Sequence, residues 1–300
     1  MGMSAAMMRK QLIRTGFVRF NSSCSGKFQP LIENYKVLRH IHFPGITPFL
    51  KGQKIQETIV NANLDFKDLE SKIKKQKYLL ESQGFAIPEY EDQLLKKILD
   101  IKPSPTVLTF EFENVYTGGK KVKKDRDIEQ KMAAFENMGC KFYQLERGGD
   151  ITWHGQGQLV AYIILDLKSF SNLTVKCFVD SVLLKSVQNM LQKNYDLKTY
   201  TNENPGVWAS EKDDKISSVG CNVSRAITSH GISLNVHPDL KFLNSFTMCG
   251  LPGSHATSIQ ALKPEQRLSV EDAASQYVKE VAQALGISRV EKMDGKELQV

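Results

Sequence analysis

Hydrophobic and polar positions divide the chain into segments of two periods. From Lys51 to about Ser82, Ile55, Ile59 and Leu64, then Phe66, Leu69, Ile73 and Leu80 recur at a broken three-to-four spacing among charges, which predicts a helix. The lysines at 72, 74, 75 and 77 read as its solvated face. Val175 to Tyr195 carries the clearest helical stripe: Val175, Phe178, Val179, Val182, Leu183, Val187, Met190 and Leu191. Ser269-Val270-Glu271-Asp272 has the form of a capping box opening a last helix, and Gly286 is suited to close it. Val107 to Phe112 alternates as a strand and runs to a turn signal at Val115 to Gly119. Ile151 to Leu167 predicts one or two strands broken by Gly155 and Gly157; Ile216 to Val223 and Ile232 to Val236 predict two more. Residues 33–50, interrupted by Pro44, Gly45 and Pro48, read as irregular. Strands and helices mix without regular alternation or internal repeat, so the expected class is α+β, a mixed sheet flanked by helices.

Charge changes the reading of the first 32 residues. Arg9, Lys10, Arg14, Arg19 and Lys27 lie there, with no acidic residue before Glu33, so most of the net charge of +7 is an N-terminal feature. Met8, Leu12, Ile13 and Phe17 face one side of a helix drawn through that stretch, and the basic residues gather towards the other. Basic, Ser-bearing and acid-free, it has the character of a mitochondrial targeting segment. Residues 1–30 are therefore expected to be such a segment and to be removed, leaving 31–300 as one domain with a helical extension at about 51–100. Apolar runs such as Val160 to Leu165 are too short for a membrane span, which takes about 20 residues. The five cysteines, Cys24, Cys140, Cys177, Cys221 and Cys249, are odd in number and lack a C-x-x-C. They indicate free thiols in a reducing compartment rather than a disulfide framework or zinc site, and no metal is expected.

Four segments are candidates for chemistry. Arg147-Gly148-Gly149-Asp150-Ile151-Thr152-Trp153-His154-Gly155-Gln156-Gly157-Gln158 combines a cation, an imidazole and four glycines. The residues alone leave two readings open, a loop whose backbone approaches a ligand or a hairpin whose glycines serve turns. The spacing matches neither nucleotide-binding glycine motif. Lys215 opens the segment Ile216-Ser217-Ser218-Val219-Gly220; locally, a solvated lysine and a functional ammonium remain alternatives. Ser229-His230-Gly231-Ile232-Ser233-Leu234-Asn235 puts a polar His-Gly pair at the head of a strand, where the histidine reads as structural. Cys249, followed by Gly250, Pro252 and Gly253, is either a small buried residue or a reachable thiol on a tight loop.

In this order the segments resemble the lipoyl(octanoyl) transferase family. Its pattern is R-G-G-x-x-T-(aromatic)-H-G-P-G-Q, then P-G-V, K-I-x-x-(I/L/V)-G, H-G-(I/L)-x-L-N and C-G. These correspond to Arg147–Gln158, Pro205-Gly206-Val207, Lys215–Gly220, His230–Asn235 and Cys249-Gly250. Upstream, Glu113 to Gly119 resembles the family's E-H-x-P-V-Y-T-x-G. The likeness runs from about Thr106 to Ile259. Asp150, Gln156 and Ser233 depart from the usual Gln, Pro and Ala.

The resemblance implies an α+β core shared with biotin and lipoate protein ligases, with Cys249 as acyl-carrying nucleophile and Lys215 as its catalytic partner. It implies that Arg147, Gly148, Gly149, Asp150, Ile151, Thr152, Trp153 and His154, Ser218, Val219 and Gly220, and Gly231, Ile232 and Ser233 bind substrate. The implied reaction moves octanoyl from octanoyl-acyl carrier protein to a lysine of lipoyl-domain proteins, the glycine cleavage H protein and 2-oxoacid dehydrogenase E2 subunits, in the mitochondrial matrix. No cofactor is expected, because the acyl group arrives activated. Alternatives of the same fold are an ATP-dependent lipoate-protein ligase and a lipoyl amidotransferase. A non-catalytic RNA-binding protein is disfavoured because the basic residues sit in the leader and in one loop, Lys120 to Arg126, which is a candidate docking site for an acidic partner.

Overall fold

The computed structural model describes residues 24, 27–211, 213–246 and 253–298. Cys249 and nearly all of the expected targeting segment lie outside these.

The chain enters through a 3-10 turn, Glu33–Lys36, into strand β1 (Val37–Thr47), where irregular chain was expected. Buried Leu38, Ile41 and Phe43 hold the strand in place. Pro44 and Gly45 fall where the register against the next strand shifts between His42 and Ile46, so the breakers are absorbed in a bulge. Helix α1 (Phe49–Ser82) and helix α2 (Glu89–Asp100) follow. The first half of α1 is no appendage: Phe49, Gly52, Ile55, Gln56, Asn63 and Phe66 are buried. Ile73 is buried as well; beyond it the helix end, the connection and α2 leave Tyr78, Phe85 and Tyr90 exposed. Ion pairs from Lys67 in the middle of α1 (2.8 Å) and Lys102 just past α2 (2.9 Å) meet on the buried Asp166.

Two sheets result. The larger uses β1, β2 (Thr106–Phe112), β6 (Gln158–Ile164), β7 (Thr199–Tyr200), β8 (Val207–Ala209), β9 (Asp214–Ser224), β10 (Ile227–Asn235) and β11 (Arg289–Asp294). Its order is β11-β1-β2-β6-β10-β9-β8-β7, parallel around β1 and antiparallel elsewhere. The smaller has the order β4-β3-β5, from β3 (Val115–Gly118), β4 (Lys141–Gln144) and β5 (Ile151–His154), with α3 (Ile128–Asn137) beside it. Val115 to Gly118 was expected as a turn; it is the middle strand of this sheet, fully buried between its neighbours.

The large sheet is covered on both faces. Along β6, Leu159, Ala161 and Ile163 join one core, while Val160, Tyr162 and Ile164 join another. The first core contains the segment Val175 to Tyr195, which is α4 (Val175–Cys177), a π-helical stretch (Phe178–Leu184) and α5 (Lys185–Tyr195). After the short helix α6 (Leu240–Leu243), it also takes in Ile259 of α7 (Ile259–Leu262) and α8 (Val270–Ala284), the last capped by the Ser269 hydroxyl on the Asp272 N–H at 3.3 Å. Gly286, at φ +67°, ends α8 as the sequence predicts. The second core lies under α1.

One cysteine expectation is corrected. Cys24 and Cys177 form a disulfide across 153 residues of sequence, with Cα atoms 5.4 Å apart. The entering chain crosses the start of α4, Pro30 bridging to Phe170, and so brings together two thiols whose spacing gives no hint of it. Cys140 and Cys221 are free.

Candidate active site

A cavity of about 140 Å³ lies where the small sheet faces β6, β9 and β10. Of the expected site residues, Arg147, Gly149, Asp150, Ile151, Thr152, His154, Lys215, Ser218, Val219, Gly220, Gly231, Ile232 and Ser233 line it. The glycine loop with β5 and the hairpin of β9 and β10 thus line one cavity. Gly148 and Trp153 do not. Gly148 instead donates its N–H to Cys221 O at 3.0 Å, fixing the glycine loop to β9. Trp153 points to the opposite face of β5 and stacks on Phe242 at 5.2 Å, because successive residues of a strand alternate faces.

Lys121, Leu145, Val160, Tyr162, Glu203, Asn204, Pro205 and His230 complete the lining. Sequence reasoning passed over these as site residues, although Pro205 and His230 stand in the family motifs.

Arg147 is buried. Its Nη2 donates to Thr117 O and Oγ1, both at 2.8 Å, and its Nη1 to Gly148 O at 3.0 Å. Burial lowers the guanidinium to about 10, opposed by Tyr162 and Asp150, so it stays charged near neutral pH. The guanidinium therefore acts as a brace for the glycine loop. Asp150, the unusual residue, accepts the Ile151 N–H on its own carboxylate at 2.8 Å and remains at the cavity wall.

Lys215 is 2 % exposed. Its Nζ donates to Pro205 O at 3.0 Å and lies 4.8 Å from the Trp208 ring centroid. The lysine is not solvated, contrary to the bland local reading. Gly206 makes this possible. At φ +142° it takes a conformation side chains rarely adopt, and a Cβ there would lie 2.6 Å from Ser217 O and 2.9 Å from Lys215 Cε. The Lys215 backbone pairs with the segment returning from the Cys249 stretch: Lys215 N donates to His255 O, and Thr257 N to Lys215 O, both at 2.9 Å. The two ends of that stretch are also joined, Ala256 N donating to Asn244 Oδ1 at 2.8 Å.

Both cavity histidines are neutral at pH 7. Burial holds His154 down to about 4, against the opposing hydrogen bond to Gln158. Burial, then Arg147 and His154, hold His230 down to about 3. His230 also departs from strand geometry at φ +59°, in the middle of β10 rather than at its head.

The sequence comparisons agree with this architecture. The model of the lipoyl protein ligase A/B catalytic domain matches residues 86–282. The mitochondrial octanoyltransferase of Saccharomyces cerevisiae is 40% identical, covering 93% of this chain and 91% of its own. That of Kluyveromyces lactis is 42% identical, covering 94% and 92%. Among solved structures, a T. acidophilum protein described as a lipoate protein ligase, with lipoic acid bound, superposes with a TM-score of 0.50 at 14% identity. It covers 65% of this chain and 78% of its own, a likeness of fold alone. The chain belongs to the lipoyl protein ligase A/B catalytic domain family, and within it to the octanoyltransferases, which are acyltransferases.

Proposed function

We propose that this acyltransferase takes octanoyl from octanoyl-acyl carrier protein onto Cys249 and passes it to a lysine of lipoyl domains. We place the reaction in the mitochondrial matrix, after loss of a targeting segment within residues 1–30 that ends before Cys24, because Cys24 is bonded to Cys177 and Phe28 is part of the core; the remainder up to residue 300 then acts as one catalytic domain. The acceptors are the glycine cleavage H protein and 2-oxoacid dehydrogenase E2 subunits. The observation that carries this reading is Lys215, a buried lysine in the cavity wall, whose backbone is paired to the segment returning from Cys249.

The chemistry follows from charge. A free thiol with a pKa of about 8.5 is little ionised at neutral pH, and an adjacent ammonium favours its thiolate. The Cys249 thiolate attacks the thioester carbonyl; the new C–S bond forms, the carrier's C–S bond breaks, and the carrier leaves as a thiol with a proton given up by Lys215. The lysine amine then attacks the Cys249 thioester. A C–N bond forms, the C–S bond breaks, and Lys215 relays a proton from the amine to the departing sulfur. The two described free cysteines are poor alternatives, since burial pushes the thiols of Cys140 and Cys221 up, away from thiolate.

Intact mass after mixing the protein with octanoyl-acyl carrier protein, beside Cys249→Ala, tests the proposal. The expected result is one octanoyl adduct on the native chain, absent from the variant and chased off by a lipoyl domain. Activity that instead requires ATP and free fatty acid would overturn it in favour of a ligase.

A further inference from the structure

We infer that His154 and His230 are held in opposite neutral tautomers, so that the cavity presents one fixed hydrogen-bond acceptor and one fixed donor to the reacting groups. This rests on the acyl-transfer reading above and assigns two contacts within it.

The assignment comes from groups that play only one role. Thr257 O can only accept, so the Asn235 atom 2.9 Å away is its amide nitrogen. Asn235 Oδ1 therefore accepts from Gln158 Nε2 at 2.9 Å. Gln158 then turns its oxygen to His154 Nδ1, at 2.8 Å. Nδ1 must carry the proton, and Nε2 of this cavity-lining ring keeps its lone pair. A second amide fixes the other ring in the opposite sense. The backbone N–H of His230 can only donate, so the Gln56 atom 2.5 Å from it is Oε1. Gln56 Nε2 then faces His230 Nδ1, at 3.5 Å, as a donor. Nδ1 accepts, and Nε2 of His230 carries the proton. Gln56 is itself buried and comes from α1, outside the residues that match the family domain.

A hydrocarbon chain has no use for either group, and a polar atom left unsatisfied against it costs stability. Both match the polar atoms that the reaction brings in. The N–H of His230 suits the carbonyl oxygen, which gains negative charge in each tetrahedral intermediate. The lone pair of His154 suits an N–H of the incoming lysine amine, orienting the amine without taking its proton. His154 and His230 then touch reacting groups, while Gln56 and Gln158 are positioning residues.

The test is long-range 1H–15N spectroscopy of the histidine rings at pH 7, with His154→Gln and His230→Gln for assignment. The expected result is a proton on Nδ1 of His154 and on Nε2 of His230; the reverse at either ring, or a charged ring, overturns the inference. Gln56→Glu offers His230 only acceptors and is expected to move its proton to Nδ1, while a cap or packing role alone would leave the tautomer unchanged. In the two half-reactions followed by mass, His230→Phe is expected to slow acyl-Cys249 formation by roughly 10²-fold, as loss of an oxyanion donor does. His154→Phe is expected to slow transfer to the lysine at least about tenfold more than it slows acyl-Cys249 formation, within the usual range for a positioned group. Equal slowing of both steps removes the role of His154. If the unaltered chain forms no adduct, the transfer reading and both contacts fall together. If it forms one while the spectra show the reverse tautomers, only this inference falls.

Discussion

Gly52 shows how much one methyl group decides. A Cβ at this position of α1 would lie 2.4 Å from Cε1 of Phe112, a fully buried ring stacked on Phe110. Alanine normally improves a helix by about 1 kcal/mol over glycine. Overpacking a core costs about 1–3 kcal/mol. Gly52→Ala is therefore expected to lower the urea midpoint, and a raised midpoint would show that Phe112 can give way. At Lys215, Lys215→Met keeps the stem and removes the ammonium. Acyl-Cys249 formation at pH 7 is expected to fall roughly 10²–10⁴-fold. Raising the pH to about 9, where a free thiol ionises by itself, is expected to recover part of it; a loss independent of pH would point to structural damage. The sequence left binding loop and hairpin open for Arg147 to Gln158, and the fold uses both. Gly149 lines the cavity, whereas Gly155 and Gly157 make the turn between the sheets, Gly157 at φ +82°. His230 was passed over because its meaning depends on Gln56, 174 residues away, and no local pattern records that contact.

Among the elements, those with a clean period were legible: α1, β2, β6, β9, β10, the Val175 to Tyr195 segment and α8 with its cap. β1 and β3 were not, and for different reasons. In β1 a bulge hides the pairing behind Pro44 and Gly45. In β3 the short run Val-Tyr-Thr-Gly has strand character only once β4 and β5 flank it. The basic run from Lys120 to Arg126 is a 3-10 turn (Val122–Lys124) anchored by buried Val122. Lys121 lines the cavity, and Lys120 reaches Asn222 at 2.9 Å. Docking of an acidic carrier here predicts that Lys120→Glu combined with Lys124→Glu slows association at low salt and flattens its salt dependence in stopped-flow measurements. An unchanged rate and slope would move the docking site elsewhere.

At the scale of the molecule, buried neutral histidines set an acid limit. His40 and His42 share the Thr109 hydroxyl at 2.8 and 3.0 Å. Burial lowers both, His40 to about 4, helped there by His42 and Lys292. The folded values lie below the unfolded value near 6.5, so the unfolded chain binds more protons as pH falls. Stability is then full above about 6.5 and is lost on acidification towards 4. For His40 the loss is on the order of 3 kcal/mol. The melting temperature is expected to drop between pH 7 and 5, less steeply in His40→Gln; equal slopes would exclude His40 as a contributor. Among the described residues, no helix is long and apolar enough to cross a membrane.

The pairing of β1 with β11 sets an order of events during synthesis. Val37 to His42 lie against Arg289 to Asp294, so one edge of strand β1 finds its partner only in residues far downstream in the chain. A chain leaving the ribosome amino end first must carry that edge bare until Arg289 to Asp294 have emerged. Bare edges invite pairing with other chains, so a nascent chain stalled before Arg289 should be more prone to aggregate, and more dependent on chaperones, than the finished protein.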